Sequence, residues 1–132
     1  LFSSSVALTG ANQIAVGDVI FPPSSGYVEA YRFMTYIDAA NGPDVLVGAE
    51  CTIPAGQVCS VRMTVGSAST VLTFNPGDPE QTATLTAASV GSGDVLVTVE
   101  IDHTTGSATN CTLNHIRGRH VRPPVFSEPV NE

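Results

Sequence analysis

A strict alternation of apolar and polar residues is the feature that most constrains this chain, and it is clearest in the segment DVLVTVEID at residues 94–102. One parity of this segment is entirely apolar: Val95, Val97, Val99 and Ile101. The other parity includes Thr98, Glu100 and Asp102. Because successive side chains of a β-strand point to opposite faces, this pattern predicts an antiparallel strand with one buried face.

The same alternation of apolar and polar residues recurs along the chain. Clear strands are predicted at residues 61–65 and 82–87, and weaker ones at residues 6–9, 13–21, 27–38, 44–51, 70–74 and 112–116. Turn formers such as Asn75-Pro76-Gly77-Asp78 separate them, and residues 89–94 are short enough to predict a hairpin. No segment keeps apolar residues at helical spacing without Gly, Pro or β-branched interruptions. About nine short strands at this spacing are typical of a β-sandwich.

These patterns predict an all-β fold, an antiparallel β-sandwich of the immunoglobulin-like or jelly-roll-like kind, occupying residues 1–116. The chain has the length of one domain, and its 42% hydrophobic and 13% charged residues suit a packed core. No run of 18 apolar residues occurs, so no membrane-spanning helix is expected.

The pattern changes after residue 116, and residues 117–132 are predicted to form an extended C-terminal arm rich in Arg and Pro. Ten acids and two arginines give residues 1–116 a net charge of −8, whereas three arginines and two glutamates give the arm +1. Arginine forks bind carboxylates, so the arm is expected to contact the acidic surface of a neighbouring subunit. The candidate assembly contacts are Arg117, Arg119, His120, Arg122 and Phe126.

The cysteines suggest one crosslink. Cys51 and Cys59 flank a short reversal, CTIPAGQVC, and both lie on the apolar parity of their strands. A disulfide across such a hairpin would stabilise the fold by about 2.6 kcal/mol and would place the protein in an oxidising compartment, which means extracellular, periplasmic or on a virion surface. The alternative is a pair of buried thiols. Cys111 is left over, either free or paired between chains, and Asn110 begins an N-glycosylation tripeptide.

Catalytic and cofactor motifs are lacking, so we expect no enzyme activity and no cofactor. No nucleophile elbow, nucleotide-binding loop or zinc motif such as CxxC is present. Asp102 and His103 are adjacent in a strand and should point to opposite faces, which excludes a direct dyad. Asp78 and Glu80 lack the ligand density of a calcium loop and are expected to be solvated. The acidic body disfavours nucleic-acid binding.

Two segments carry a family resemblance: TIPAGQVCSVRMTV at residues 52–65 and LTFNPGDPEQTATLTA at residues 72–87. Each combines strand residues with a Pro/Gly turn, and together they resemble immunoglobulin-like sandwiches of secreted and virion-associated proteins, including Calx-beta-type modules. The resemblance implies a fold and an extracellular setting. It does not imply calcium binding, because the acidic set of those modules has no counterpart here.

These observations predict that the chain is a non-enzymatic structural subunit of an extracellular assembly, such as a bacteriophage capsid decoration or accessory virion protein. Its partners would be neighbouring proteins in that assembly. The alternative is an adhesin or carbohydrate-binding module that presents Tyr27, Tyr31 or Tyr36. A small hydrolase is a third possibility, but it requires a nucleophile or paired carboxylates that the sequence does not supply.

Overall fold

A computed structural model shows the predicted β-sandwich, and it describes residues 5–7, 12–23, 26–38, 44–105 and 109–121. Nine strands and one helical turn make up this part of the chain. In chain order they are β1 (Ser5–Ala7), β2 (Asn12–Phe21), β3 (Tyr27–Ile37), β4 (Asp44–Thr52), β5 (Val58–Val65), β6 (Ala68–Phe74), β7 (Gln81–Thr86), α1 (Ala87–Val90), β8 (Gly93–Thr105) and β9 (Cys111–Val121). No helix among these elements is long and apolar enough to cross a membrane.

The strands form two sheets. One sheet has five strands in the order β1-β3-β8-β5-β6, and the other has four in the order β2-β9-β4-β7. All neighbours pair antiparallel except β1, a three-residue strand that runs parallel to β3. The strands β6 and β7 therefore lie at one side of the sandwich, and β1 and β2 are the edge strands at the other end of their sheets.

The core lies between the sheets and follows the alternation seen in the sequence. In β8 the whole apolar parity is buried, and β5 alternates between buried and half-buried residues along its full length. The largest fully buried apolar side chains come from both sheets: Phe33, Ile37, Met63, Phe74, Ile101, Leu113 and Ile116. Burial of each such side chain stabilises the fold by about 1.5–3 kcal/mol, so the core sets the register of every central strand.

Both hairpins predicted from the sequence are wrong. Strands β4 and β5 belong to different sheets, so residues 53–57 connect the sheets and do not join paired strands. The connection from β7 to β8 likewise passes between sheets and contains α1, which Thr86 caps by accepting a hydrogen bond from the Ser89 amide. A short loop rich in Gly and Pro can join two neighbouring strands of one sheet or cross from one sheet to the other. Which of the two occurs depends on how both faces of the strands pack.

The observed hairpin joins β5 to β6 through Gly66 and Ser67. Gly66 has a φ of +58°, and a Cβ at this position would lie 2.2 Å from the carbonyl oxygen of Val90. Its amide donates a hydrogen bond of 2.9 Å to the carbonyl oxygen of Leu96. Glycine is therefore required here both by backbone conformation and by the close approach of the segment that follows α1.

The boundary predicted for the C-terminal arm, residue 117, lies too early in the chain. Residues 117–121 belong to β9, where they pair with β4 from Gly48 to Asp44. Gly118 and His120 are buried while Arg117 and Arg119 are half-exposed, which is ordinary strand alternation. The alternation was missed because neither a glycine nor a histidine marks an apolar face. Residues 122–132, including Arg122 and Phe126, lie outside the described part of the chain.

Candidate functional site

The two edge strands β6 and β7 form one side of the sandwich, which we call the lateral edge. Neither strand contains a charged residue or a proline. Neither pairing shows a register shift, whether β6 with β5 or β7 with β4. Within the described residues no strand pairs with the outer side of either one. Apart from the Thr73 carbonyl, which accepts a hydrogen bond from the Gln81 side chain, the lateral edge thus presents regular backbone donors and acceptors to any strand that approaches it.

The side chains of the lateral edge are small and mostly neutral hydroxyls, with one apolar exception. Val71 of β6 is 49% exposed. The other exposed positions are Ser69, Thr73, Thr82, Thr84 and Thr86. Leu72, Phe74 and Leu85 anchor the same strands in the core. Both strands of the lateral edge are therefore anchored in the core, and their exposed side chains are small enough to let another strand approach.

The turn between β6 and β7 holds the two strands together. The amide of Asn75 donates a 2.8 Å hydrogen bond to Oδ2 of Asp78, and the Asp78 amide donates to the Asn75 carbonyl at 3.1 Å. Nε2 of Gln81 donates to the carbonyl oxygen of Thr73 at 2.7 Å. Asp78 is thus committed to its own turn, and Glu80 pairs with Arg117.

A charged row runs across the outer face of the four-stranded sheet beside the lateral edge. Nε of Arg117 lies 2.8 Å from Oε2 of Glu80, and the two ring nitrogens of His115 lie 3.4 Å from Glu50 and 3.5 Å from Glu80. Burial alone would raise the pKa of Glu80, but hydrogen bonds and charge from Arg117 and His115 outweigh it and lower that pKa. Within the row, Arg117 is therefore the counter-charge of Glu80.

A shallow pocket of about 100 Å³ lies next to this row, above Gly48. Its lining includes Leu46, Thr82, Arg117 and Arg119. Ligand pockets for small molecules are commonly about 300–1,000 Å³, so this one is too small for a substrate of that size. Nε of Arg119 is buried there without a hydrogen-bond partner among the described residues.

The predicted assembly contacts have separate positions in the fold. Arg117 pairs with Glu80 of its own chain, and Arg119 lines the pocket. His120 is 3% exposed and faces the interior. Of the contacts predicted from the sequence, only Arg117 and Arg119 lie at the described surface, and sequence reasoning missed the lateral edge. The absence of charge and proline from residues 68–74 and 81–86 was the available signal.

The predicted disulfide between Cys51 and Cys59 is absent, and all three cysteines are free and buried. Cys51 lies in β4 and Cys59 in β5, on opposite sheets, so they do not face each other across a hairpin. Burial, together with the charges of Cys111 and Glu50, raises the pKa of Cys51 to about 12. The Cys59 thiol instead lies close to that of Cys111, and a hydrogen bond with Cys111 raises the pKa of Cys59.

A buried polar cluster surrounds this thiol pair. The Sγ atoms of Cys59 and Cys111 and a ring nitrogen of His103 all lie within 4.8 Å of one another, which is a spacing at which one metal ion could be held. Nε2 of His103 is hydrogen-bonded to Oε1 of Gln57, whose side chain is also buried. Sequence motifs could not reveal this cluster, because its members come from three strands and a loop.

The three tyrosines do not form a sugar-stacking platform. Tyr31 is in the core, because a bulge between Glu29 and Tyr31 turns two consecutive residues inward. The Arg62 guanidinium covers the ring of Tyr27 at 4.0 Å from its centroid. Tyr36 alone is widely exposed.

Comparisons with family models, with curated proteins and with solved structures find no match to this chain.

Proposed function

We propose that this chain is a non-enzymatic structural subunit of a protein assembly and that it joins a second copy of itself by strand addition at the lateral edge. One observation carries the proposal: β6 and β7 are regular, uncharged edge strands side by side, without the bulges, charges or prolines that normally protect such edges. Edge strands of this kind bind partners through main-chain hydrogen bonds.

A second copy suits this edge because an edge strand can pair antiparallel with its own copy around a twofold axis. Twofold interfaces of this kind are the commonest in homo-oligomers. The chain carries a net charge of −7, so contact between two copies is repulsive over most of the surface. The strands β6 and β7 carry no charge, and the nearby Glu80 is neutralised by Arg117. Contact at the lateral edge therefore avoids the repulsion.

The setting we propose is extracellular, as in a capsid decoration or accessory virion protein, and it rests on the resemblance of residues 52–65 and 72–87 to sandwiches of such proteins. The disulfide argument no longer supports it, since Cys51 and Cys59 are on different sheets. A carbohydrate-binding role is less well supported, because Tyr36 is the only one of the three tyrosines that is widely exposed.

Paired lysine substitutions test the proposal. Val71→Lys places a charge on β6, whereas Ile20→Lys makes the same kind of change on β2, where Ile20 is 62% exposed. Two facing lysines at a β6–β6 contact repel and must be desolvated, so Val71→Lys should weaken self-association at least tenfold, which corresponds to about 1.4 kcal/mol. Ile20→Lys should leave it within twofold.

Sedimentation velocity over a range of protein concentrations measures both variants against the parent chain. A parent chain that remains monomeric at high concentration would overturn the proposal. So would equal weakening by the two lysines, because the contact would then not be specific to the lateral edge.

A further inference from the structure

The buried cluster links the two sheets at one end of the sandwich. Cys59 lies in β5 and His103 in β8 of the five-stranded sheet, whereas Cys111 lies at the start of β9 in the four-stranded sheet. Each of these side chains is at most 1% exposed. The donor atoms of the two thiols and the imidazole lie within 4.8 Å of one another, and the imidazole is the costly member of this cluster, because a buried ring nitrogen needs a partner.

The orientation of His103 indicates which atom is available. Nε2 is hydrogen-bonded to Oε1 of Gln57, an acceptor, so Nε2 carries the proton and Nδ1 carries the lone pair. Nδ1 is buried and has no hydrogen-bond partner among the described residues. Metal-binding histidines characteristically have their other nitrogen held by an oxygen in this way, which fixes the tautomer and the ring.

The two thiols supply the other donors of the cluster. The Sγ atoms of Cys59 and Cys111 come from opposite sheets, and they lie within 4.8 Å of each other and of a ring nitrogen of His103. Cysteine binds metal as the thiolate, so one ion at this position would take up both sulfurs. Cys51 pairs in register with Leu113, two residues from Cys111, and lies outside this group.

A disulfide between Cys59 and Cys111 accounts for less of the geometry. It would use both sulfurs but leave Nδ1 of His103 buried and unsatisfied, at a cost of about 1–3 kcal/mol. It would also give no reason for a buried glutamine to hold the other side of the ring. A metal ion satisfies both sulfurs and Nδ1 together.

We propose that Cys59, His103 and Cys111 form a zinc site that ties the two sheets together. Cysteine sulfur and histidine nitrogen are the ligands that zinc characteristically takes in proteins, and a metal ion bound by folded elements stabilises the fold. Binding through two thiolates and a neutral imidazole releases two thiol protons to solvent, and no oxidant or reductant is needed. The inference is independent of the lateral edge and of self-association.

Metal binding by the full chain tests the site directly. The purified, reduced protein is freed of metal and titrated with Co²⁺ and then Zn²⁺, and bound zinc is measured by elemental mass spectrometry. We expect one ion per chain, a thiolate-to-cobalt absorption band that zinc abolishes, and a higher melting temperature with zinc. A reduced chain that binds neither ion would overturn the proposal.

Two histidine variants provide the matched comparison. His103→Gln removes a ligand, and His120→Gln removes a histidine that is buried to a similar degree but is outside the cluster. We expect His103→Gln to weaken Zn²⁺ binding at least about 100-fold and His120→Gln to leave it unchanged. Equal affinities in the two variants would contradict the assignment.

A further variant keeps the test valid if His103→Gln fails to fold. Gln57→Ala removes the residue that orients the ring and should weaken Zn²⁺ binding about 10–100-fold while leaving the ligands in place. Unchanged zinc affinity in this variant would contradict the role assigned to His103. Peptide mapping of the protein as purified without reductant is the remaining control, and a Cys59–Cys111 disulfide found there would also overturn the proposal.

Discussion

The edge strands at the two sides of this sandwich differ in how they are protected. The strand β2 pairs with β9 through two register shifts and contains Asp18. By contrast, β6 and β7 are regular and uncharged. Bulges and charges are means by which proteins prevent unwanted strand pairing. Their presence in β2 and their absence from β6 and β7 mark the lateral edge as the place where pairing is allowed.

Gly66→Ala should give the largest effect, because the hairpin that sets the position of β6 depends on Gly66. The new Cβ would overlap the Val90 carbonyl in a left-handed backbone conformation. We expect a loss of at least about 2 kcal/mol in the free energy of unfolding, measured by urea denaturation of dilute protein.

The control is Gly77→Ala in the turn between β6 and β7. Gly77 has a φ of +83°, but no atom lies within 4 Å of the position that an alanine Cβ would take, so only the backbone cost of about 1 kcal/mol applies. Equal losses in the two variants would show that the contact with Val90 is not what makes Gly66 necessary.

Gln81→Ala should have an intermediate effect. It removes the hydrogen bond from Nε2 of Gln81 to the Thr73 carbonyl, which links β7 to β6. A loss of about 1 kcal/mol in unfolding free energy is expected. Self-association should weaken as well, because the two strands would no longer be held side by side, and sedimentation velocity measures that change. Weaker folding with unchanged self-association would show that the two strands do not act as one surface.

Glu80→Gln should have the smallest effect, and it should depend on pH. Since the pKa of Glu80 is lowered in the folded chain, its carboxylate stabilises the fold above the ordinary carboxyl range, and this contribution is lost as the pH falls through the lowered pKa. The pair with Arg117 is partly exposed, so we expect a difference below about 1 kcal/mol at pH 7. Denaturation at pH 7 and pH 3 should show this difference becoming smaller at the lower pH; a constant difference would contradict it.

The sequence predicted the strands well and their connections poorly. Alternation is a local property, so the inward row of β8 and the parity of β5 could be read directly from residues 94–102 and 61–65. Whether a short loop joins neighbours in one sheet or crosses to the other depends on packing of both faces. That is why the predicted hairpins at residues 51–59 and 89–94 are in fact crossings between the sheets.

The buried cluster was beyond sequence reasoning for a related reason. Cys59, His103 and Cys111 are brought together by sheet order and by the packing of one sheet on the other, and none of their spacings in the chain forms a metal motif. The lateral edge, in contrast, could have been suspected from composition alone. Its identity as an edge required the strand order.

Amide hydrogen exchange at low and high protein concentration tests the lateral edge most directly. If copies pair there, exchange in residues 68–74 and 81–86 should slow as the concentration rises, while exchange in residues 12–21 stays unchanged. Slower exchange confined to residues 12–21, or no change in residues 68–74 and 81–86 in an associated sample, would contradict strand addition at the lateral edge.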